Sequence, residues 1–366
     1  MTDRSVVLLI DAVVQGHGAL LKPKIEDRGF RAHFWNLSAA KTLQLNLAVP
    51  EVRVQVGSEG QRIALDELRS VWINTRYPSP DSLPQNLEFR AFAQDEWEAA
   101  LCNLFHFTRH LPWVNPLDRD YISGAKVYQL DVARRAGLRV PRTLVTLDPE
   151  EFRAFLRSCP EGVAIKRLND SPSMYRTNST PWMIYTNRIR EADLPRLAID
   201  SIRVAPCHFQ EYVPKQSELR VYVVGDRIFS VEIFSQLDKE TEVDWRRYPR
   251  KAGPMGWEID FDRWRCSTVE LPASVNESCR QVARELGIRY AAIDLIKSKD
   301  GQYVFLEANN PGAWGWLELR TGLPITDAIV DLLVGEGESS AAPSSSPAAA
   351  SGADAPSSTP TAAGGH

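Results

Sequence analysis

The chain has 366 residues, of which 43% are hydrophobic, and a formal net charge of -4. This length suits two or three packed domains, and the small negative charge gives no general attraction toward nucleic acids or anionic membranes. The apolar opening from Val6 to Ile10 is interrupted by Asp11, so it is too short to span a bilayer and predicts a buried strand. We therefore expect neither a nucleic-acid partner nor a membrane anchor.

The five cysteines are scattered without the short spacing of zinc-binding motifs. This distribution favours reduced thiols, packed as small apolar groups, over disulfides or metal ligands. It predicts a cytoplasmic protein. The residues are Cys102, Cys159, Cys207, Cys266 and Cys279.

The N-terminal section alternates strands and helices, which is typical of an α/β domain. Apolar residues at helical spacing also predict a long amphipathic helix before the first domain ends. A further helix is predicted to begin with Ser123 as its cap and to stop at Gly137. The predicted elements are strands at 6–10, 31–37 and 71–77 and helices at 19–30, 88–111 and 123–137.

From residue 142 the pattern changes to paired strands, with Gly225-Asp226 as one turn. Helices are predicted before and after the last pair. The chain after Glu338 is almost entirely Ala, Ser, Pro, Thr and Gly, which predicts a disordered tail because it cannot bury enough apolar surface. The predicted strands are 142–147, 162–168, 182–188, 207–213, 218–224 and 227–235, and the helices are 274–287 and 326–336.

The segment 293–309 predicts a hairpin that brings two carboxylates together. Asp300-Gly301 suits a two-residue turn, and counting outward from it places Asp294 directly opposite Glu307. Like charges so placed are destabilising unless a cation neutralises them, and Asn309 adds an amide oxygen on the same face. These oxygen donors suit magnesium. The alternative is a solvated charged hairpin.

Three cations lie in strand or helix positions where an anion is a natural partner. Lys166 falls within an apolar strand, Lys126 near a helix start and Arg220 in another strand. Each side chain meets a phosphate in one interpretation. In the other, the lysines extend to solvent and Arg220 pairs with Glu218 or Glu232.

The stretch FQEYV, residues 209–213, ends a strand at Pro214. Backbone groups at such a strand end can hydrogen-bond an adenine edge, with neighbouring side chains framing the base. Many strands that leave a sheet look alike, so the order of all these parts is more informative than any one of them.

In that order, a lysine near a helix start, a lysine in a strand, the E-Y-V stretch, a strand arginine and a D…ExN set resemble the ATP-grasp fold. Four stretches are similar to the ATP-grasp ligases that macrocyclise ribosomally made peptides, the microviridin or graspetide maturases. The similarity covers roughly residues 70–336 in order. The stretches are VNPLDRDYISGAKVYQLDVARRAGLRVPRTLVT, FQEYVPKQSELRVYVVGDRIFSVEI, VDWRR and FLEANNPGAWGWLELRTGLPITDAIVDLL.

The resemblance implies an α/β fold whose ATP-grasp part is α+β, with ATP clasped between two antiparallel sheets. It divides the chain into an N-terminal pre-ATP-grasp domain, a central subdomain that acts as a lid, a C-terminal subdomain with the magnesium site, and the tail. These parts comprise residues 1–116, 117–208, 209–337 and 338–366.

The resemblance also assigns roles by position, with Arg220 and Lys166 as the catalytic residues. The magnesium positions are Asp294, Glu307 and Asn309, and the phosphate positions are Lys126, Lys166 and Arg220. The adenine positions are Gln210, Glu211 and Val213, and Glu218 lies near the ribose or the substrate. The DWR signature of Asp244, Trp245 and Arg246 is a substrate contact.

The implied reaction uses ATP and Mg²⁺ to convert an Asp or Glu side chain of a precursor peptide into an acyl phosphate. Ser, Thr or Lys then attacks, giving an ester or an amide. The peptide, with its leader and core, is the implied partner, and a homodimer is left open. The alternatives are a RimK-like ligase that adds a free amino acid and a catalytically silent nucleotide-binding scaffold. A protein-interaction role for the tryptophan-rich stretches is a third.

The sequence departs from the family pattern in two places. The family commonly has ENPNGQW character after the metal acid, whereas this chain reads EANNPGAW, with Ala313 in place of Gln. The loop at 167–180 also has no glycine where a phosphate-covering loop often has several. The first change bears on the acceptor side of the site and the second on closure over ATP.

Overall fold

The structure is a computed structural model whose described residues stop at Gly335, so the predicted tail lies outside them. Most of the loop at 167–180 lies outside them too. No helix in the described part of the chain is long and apolar enough to cross a membrane. The described residues are 4–12, 16–39, 42–46, 53–57, 63–78, 82–168, 176–177, 180–181, 185–247, 250–253, 256–260 and 263–335.

The N-terminal region is built on a parallel sheet with the strand order β2-β1-β5-β6. Its first strand is apolar and buried on both faces, as expected when both sides of a parallel sheet are covered. Asn86 caps the long helix by accepting bonds from the backbone of Glu88 and Phe89. The hairpin β3–β4 was not predicted. The elements are β1 (Val6–Asp11), α1 (His17–Asp27), β2 (Arg31–Asn36), β3 (Thr42–Asn46), β4 (Arg53–Gly57), β5 (Leu68–Ile73), α2 (Leu87–Thr108) and β6 (Trp113–Val114).

The central region contains an antiparallel sheet with the order β11-β8-β12-β7. Residues 182–184 of the predicted strand at 182–188 lie outside the described residues, and the described strand there ends at Ile189. The elements are α3 (Leu117–Ser123), α4 (Lys126–Arg135), β7 (Thr143–Thr146), α5 (Pro149–Arg157), β8 (Val163–Lys166), β9 (Arg176–Thr177), β10 (Thr180–Pro181), β11 (Asn187–Ile189) and β12 (Cys207–Glu211).

The predicted cap at Ser123 is wrong. Ser123 is the last residue of α3, and the backbone N–H of Gly124 closes that helix on Asp120. The next helix begins at Lys126 after Ala125, without a side-chain cap. The break at Gly124 and Ala125 places the Lys126 side chain at the very start of α4.

The C-terminal region holds a five-stranded antiparallel sheet with the order β17-β14-β13-β18-β19. The predicted turn at Gly225-Asp226 is confirmed, since Val224 pairs with Arg227 and Gly225 has a positive φ of 58°. The elements are β13 (Lys215–Val224), β14 (Arg227–Ile233), β15 (Arg250–Gly253), β16 (Gly256–Ile259), β17 (Cys266–Thr268), α6 (Ala273–Leu286), β18 (Tyr290–Ser298), β19 (Tyr303–Asn309), α7 (Gly315–Thr321) and α8 (Ile325–Val334).

Both faces of this five-stranded sheet are covered. One face, with Val221 and Ile293, packs against α4 and α6. The other face carries Tyr222 and Ala292 and shares one core with α8 and the N-terminal sheet. Alternation along each strand therefore places Arg220 and Asp294 on the face that looks toward the N-terminal region.

Candidate active site

A row of charged side chains crosses three adjacent strands of the C-terminal sheet. Arg220 on β13 is opposite Asp294 on β18, and Asp294 is opposite Glu307 on β19. Cross-strand partners in an antiparallel sheet have neighbouring side chains. The predicted juxtaposition of the two acids is present.

The turn type predicted for this hairpin is wrong, although the predicted register of the two acids is right. The connection is a three-residue loop closed between Ser298 and Gln302, with Gly301 at a φ of 79°, and not a two-residue turn. Such a loop places a left-handed residue before the returning strand, which shifts the pairing by one residue. A bulge at Leu306 shifts it back, so that Asp294 again faces Glu307.

Each acid has a cationic partner from the protein itself. Arg220 Nη1 donates to both oxygens of Asp294, at 2.8 and 2.9 Å, and Lys126 Nζ lies 2.7 Å from Glu307 Oε2. The sequence left open an alternative in which Arg220 pairs with Glu218 or Glu232. The structure instead pairs Arg220 with Asp294. These side chains are almost fully buried. From the sequence, we expected a metal ion to neutralise the two acids. In the structure, Arg220 and Lys126 already neutralise them.

The two carboxyl groups are driven apart in acidity by their surroundings. Burial, reinforced by the charge of Glu307, raises the pKa of Asp294 to about 6 despite its bond with Arg220. Burial also works to raise the pKa of Glu307, but Lys126, Lys166 and Arg246 outweigh it and lower that pKa. Glu307 is therefore a firmly ionised carboxylate surrounded by cations.

Lys166 ends β8 and points into the same space. Burial lowers its pKa, and the charge of Glu307 opposes that shift. The strand pairs Lys166 with His208 of β12. The predicted strand lysine thus faces the acids across the gap between two sheets.

The predicted adenine residues line the wall beside Lys166. Gln210 is buried, and its Oε1 has no hydrogen-bond partner among the described residues. Glu211 accepts a 2.7 Å bond from Arg142 Nε, and Val213 follows at the strand end. Glu218 is buried with Lys215 Nζ at 2.8 Å. The orphaned amide oxygen of Gln210 suits a donor such as an exocyclic amine.

The three residues of the DWR signature, Asp244, Trp245 and Arg246, have different surroundings. Asp244 is buried and accepts bonds from the Arg246 guanidinium at 2.9 and 2.8 Å, while Trp245 stacks on Trp316 with ring centroids 5.4 Å apart. Asp244 thus holds Arg246, whose charge acts on Asp294 and Glu307. Of the three, Arg246 is the side chain that reaches the acids.

The loop after Asn309, where the sequence departs from the family pattern, packs closely onto the site. Asn309 Nδ2 donates to Asp294 at 3.0 Å, and Asn310 Nδ2 donates to Asp120 at 2.6 Å. A Cβ on Gly312 would lie 2.2 Å from Ala292 Cβ and 2.8 Å from Arg220 Nη2. The loop therefore lies directly on Arg220, and its second asparagine fastens it to α3.

Sequence reasoning missed one side of the site. Arg76 and Tyr77, which follow β5, lie beside Glu98 of α2 and Asp120 of α3. Their signal was the position just past the carboxyl end of a parallel strand, where ligands bind in open α/β sheets. We call these four residues the N-terminal wall.

The predicted site residues, except the deeper Arg220, line one cleft of about 1010 Å³ together with the N-terminal wall. Two carboxylates that share a face, with an amide between them, form the small oxygen donor set that Mg²⁺ takes from proteins, leaving its other positions to water and phosphate. The lysines beside them suit the phosphates. The residues present fit the metal and the nucleotide, although the described residues contain no group of three or more His, Cys, Asp or Glu side chains placed to hold a metal.

Comparison with known proteins shows which solved structures and sequences the chain resembles, and over how much of its length. No model of a known protein family matches the sequence. The macrocyclase MdnC from Microcystis aeruginosa, solved with its precursor peptide MdnA, is 25% identical with a TM-score of 0.75, over 90% of this chain and 100% of that one. The macrocyclase MdnB from the same organism is 28% identical with a TM-score of 0.68, over 90% and 99%.

Two weaker likenesses agree. The ATP-grasp ligase PsnB, solved with a precursor variant, Mg and ADP, is 22% identical with a TM-score of 0.68, over 92% and 100% of the chains, and shares the fold. A probable alpha-L-glutamate ligase from Alkalilimnicola ehrlichii is 29% identical over 139 residues, 37% of this chain. The chain spans only 41% of the length of that curated relative.

The fold is that of the ATP-grasp ligases, as the sequence predicted. Within that class, the chain is similar along nine tenths of its length to the macrocyclases of ribosomal peptides. The resemblance to graspetide, or microviridin, maturases that the sequence predicted is confirmed.

Proposed function

We propose that the protein is an ADP-forming ligase that activates Asp or Glu side chains of a ribosomal precursor peptide and closes ester or amide links. The observation that carries this proposal is Glu307, a buried carboxylate with Lys126 at 2.7 Å and with Lys166 and Arg246 close enough to lower its pKa. Two lysines beside one carboxylate suit the phosphates of ATP.

Each side chain has a part in this chemistry. Asp294, Glu307 and Asn309 would hold Mg²⁺, which would spread the charge that develops on the phosphates. Lys126 and Lys166 bind and orient the transferring phosphoryl group, and Arg220 fixes Asp294 in place.

The remaining cleft residues bind the two substrates. Gln210, Glu211 and Val213 frame the adenine, and Glu218 lies where the ribose would be. Arg246, held by Asp244, binds the carboxylate of the peptide before activation. It then contacts the acyl phosphate that forms from that carboxylate. The residues 117–208 and 209–337 remain our proposed subdomains, and the first would close over ATP.

The partner in this proposal is a precursor peptide with a leader and a core, and the enzyme works as a monomer or a homodimer. The need for ATP and the five free cysteines favour the cytoplasm. MdnC was solved with its precursor peptide, which supports a peptide substrate here.

The test is incubation with ATP, Mg²⁺ and acidic peptides that carry Ser, Thr and Lys. Release of ADP together with loss of the mass of water from the peptide is expected. Asp294→Asn, Glu307→Gln and Lys166→Ala should each abolish both signals. Glu211→Gln, which changes a residue beside the adenine, should chiefly raise the KM for ATP. Dehydration that persists in all of the first three variants would refute the assignment.

A second candidate is a RimK-like ligase that adds a free amino acid, because the curated relative is a probable glutamate ligase. The same assay separates the two. A peptide that gains the mass of an amino-acid residue, when free glutamate is supplied, would favour the second candidate.

A further inference from the structure

We propose that Arg247 is a positioning residue, which fastens the sheet that carries Lys166 to the sheet that carries Glu307 and so sets the gap between these two side chains. The inference rests on the proposed function, because it assigns a further residue to the same reaction. Arg247 is not among the described residues that line the cleft, and it acts on the reaction through Lys166.

The chain joins the central sheet to the C-terminal sheet at one edge. The order of the central sheet is β11-β8-β12-β7. The chain enters this sheet at β7 and leaves it at β12, which continues into β13 after residues 212–214. These two strands lie together, so the sheet is free to turn about their edge as about a hinge. The strand β11 forms the opposite edge, and β8, which ends at Lys166, lies next to it.

This opposite edge is held by a loop between β14 and β15. Arg247 Nη2 donates to Asn187 Oδ1 at 2.6 Å and to the carbonyl oxygen of Thr186 at 3.3 Å. The backbone N–H of Thr186 donates in turn to Asp244 Oδ2 at 2.9 Å. The Arg247 guanidinium also lies over the ring of Tyr185, 5.2 Å from its centre. Three consecutive residues at the start of β11 are therefore tied to one loop of the C-terminal region.

The same loop is anchored on the C-terminal region by other contacts. Lys215 Nζ, at the start of β13, donates to the carbonyl oxygen of Val243 at 3.0 Å and to Glu218 at 2.8 Å. Trp245 stacks on Trp316 of α7, with ring centroids 5.4 Å apart. Lys215 and Trp245 are both buried. Closely packed contacts of this kind yield little under load, so the loop holds β11 at a defined distance from the C-terminal sheet.

The position of this edge determines where Lys166 lies. In the ladder between β11 and β8, Asn187 pairs with Ile165, the residue before Lys166. Lys166 faces Glu307, whose charge opposes the lowering of the lysine pKa by burial. Electrostatic attraction falls with distance. A wider gap would therefore weaken the hold of Lys166 on a phosphate bound beside Glu307 and misalign the transferring group.

The neighbouring arginine has contacts of its own. The Arg246 guanidinium donates to Asp244 at 2.9 and 2.8 Å, and none of these bonds involves the Arg247 side chain. Loss of the Arg247 guanidinium should therefore release β11 while Arg246 stays in place. We expect an effect on kcat, with the KM for the peptide unchanged.

The test measures dehydration of the peptide by mass spectrometry at saturating ATP and peptide. Arg247→Met should lower kcat by about tenfold, within the hundredfold that a misplacement of 1 Å costs, and Arg247→Lys, which still donates to Asn187, should restore part of it. Asn187→Leu should lower kcat by itself but add little to Arg247→Met, because both changes break the same bond. Arg188→Met is the control and should leave kcat unchanged, since Arg188 lies in the same strand but donates to Glu161, beside β8.

Hydrogen exchange of the Thr186 amide measures the fastening without turnover, in the protein alone. This amide donates to Asp244, so Arg247→Met should speed its exchange and Arg188→Met should not. Wild-type kcat in Arg247→Met, additive losses in its combination with Asn187→Leu, or unchanged exchange of the Thr186 amide would each overturn the inference. If the unmodified enzyme releases no ADP and dehydrates no peptide, the proposed function is refuted, and faster exchange in Arg247→Met would still establish that Arg247 fastens the two sheets.

Discussion

Replacing Glu307 by Gln tests the charge balance of the site in the protein alone. The side chain keeps its size but loses the charge that Lys126 contacts at 2.7 Å, with only 8% and 13% of the two side chains exposed. Breaking a buried ion pair on one side costs about 3 to 5 kcal/mol. Because the Gln amide oxygen can still accept from Lys126, we expect the lower end, a loss of about 3 kcal/mol in the free energy of unfolding.

The measurement is urea unfolding with a chelator present, so that no metal contributes. Asp300→Asn is the control, since it removes an acid from the same hairpin whose side chain is 63% exposed, and it should leave stability nearly unchanged. Inorganic tripolyphosphate should stabilise Glu307→Gln more than the unmodified protein, because its charge replaces the lost carboxylate beside Lys126 and Lys166.

A loss below about 1 kcal/mol would refute the reasoning, because it is what an exposed pair contributes. So would equal stabilisation of both proteins by tripolyphosphate, since the lysines would then not be the groups that bind it. Either result would show that Glu307 is not what balances the cations of this cleft.

Two further predictions concern residues around this centre. Burial first, and then the charge of Lys166, lowers the pKa of His208 to about 4, while the unfolded chain takes up its proton near pH 6.5. The unfolded state therefore binds more protons as pH falls from about 6.5 to about 4, and this residue costs up to about 3 kcal/mol of stability there. His208→Leu should flatten the fall in unfolding free energy over that range, and an unchanged slope would contradict the argument. Gly312→Ala forces a Cβ within 2.2 Å of Ala292 and 2.8 Å of Arg220. It should cost about 2 kcal/mol in thermal or urea unfolding and reduce ADP formation, and wild-type stability would contradict the close approach.

Part of the candidate site could be predicted from the sequence, because side chains alternate between the two faces of a strand. This alternation fixes which residues of a strand share a face. Lys166, Arg220, Asp294 and Glu307 all fall on strands, as their neighbours in the sequence indicated. The turn was mispredicted, because Asp-Gly suits both a two-residue turn and the last two residues of a three-residue loop. The register of the acids nevertheless held, since the bulge at Leu306 compensates for the extra loop residue.

The amino-acid sequence by itself thus determined the strands that carry Lys166, Arg220, Asp294 and Glu307, the shared face of the two acids and the class of the fold. Only the tertiary structure decided which cations meet which acids, because Lys126 lies 181 residues from Glu307 and Arg220 lies 74 from Asp294. It alone also brought Arg76, Glu98 and Asp120 together from a strand end and two helices. The physical reason is that backbone periodicity acts over a few residues, whereas the partners of a buried charge are set by how separate layers pack against one another.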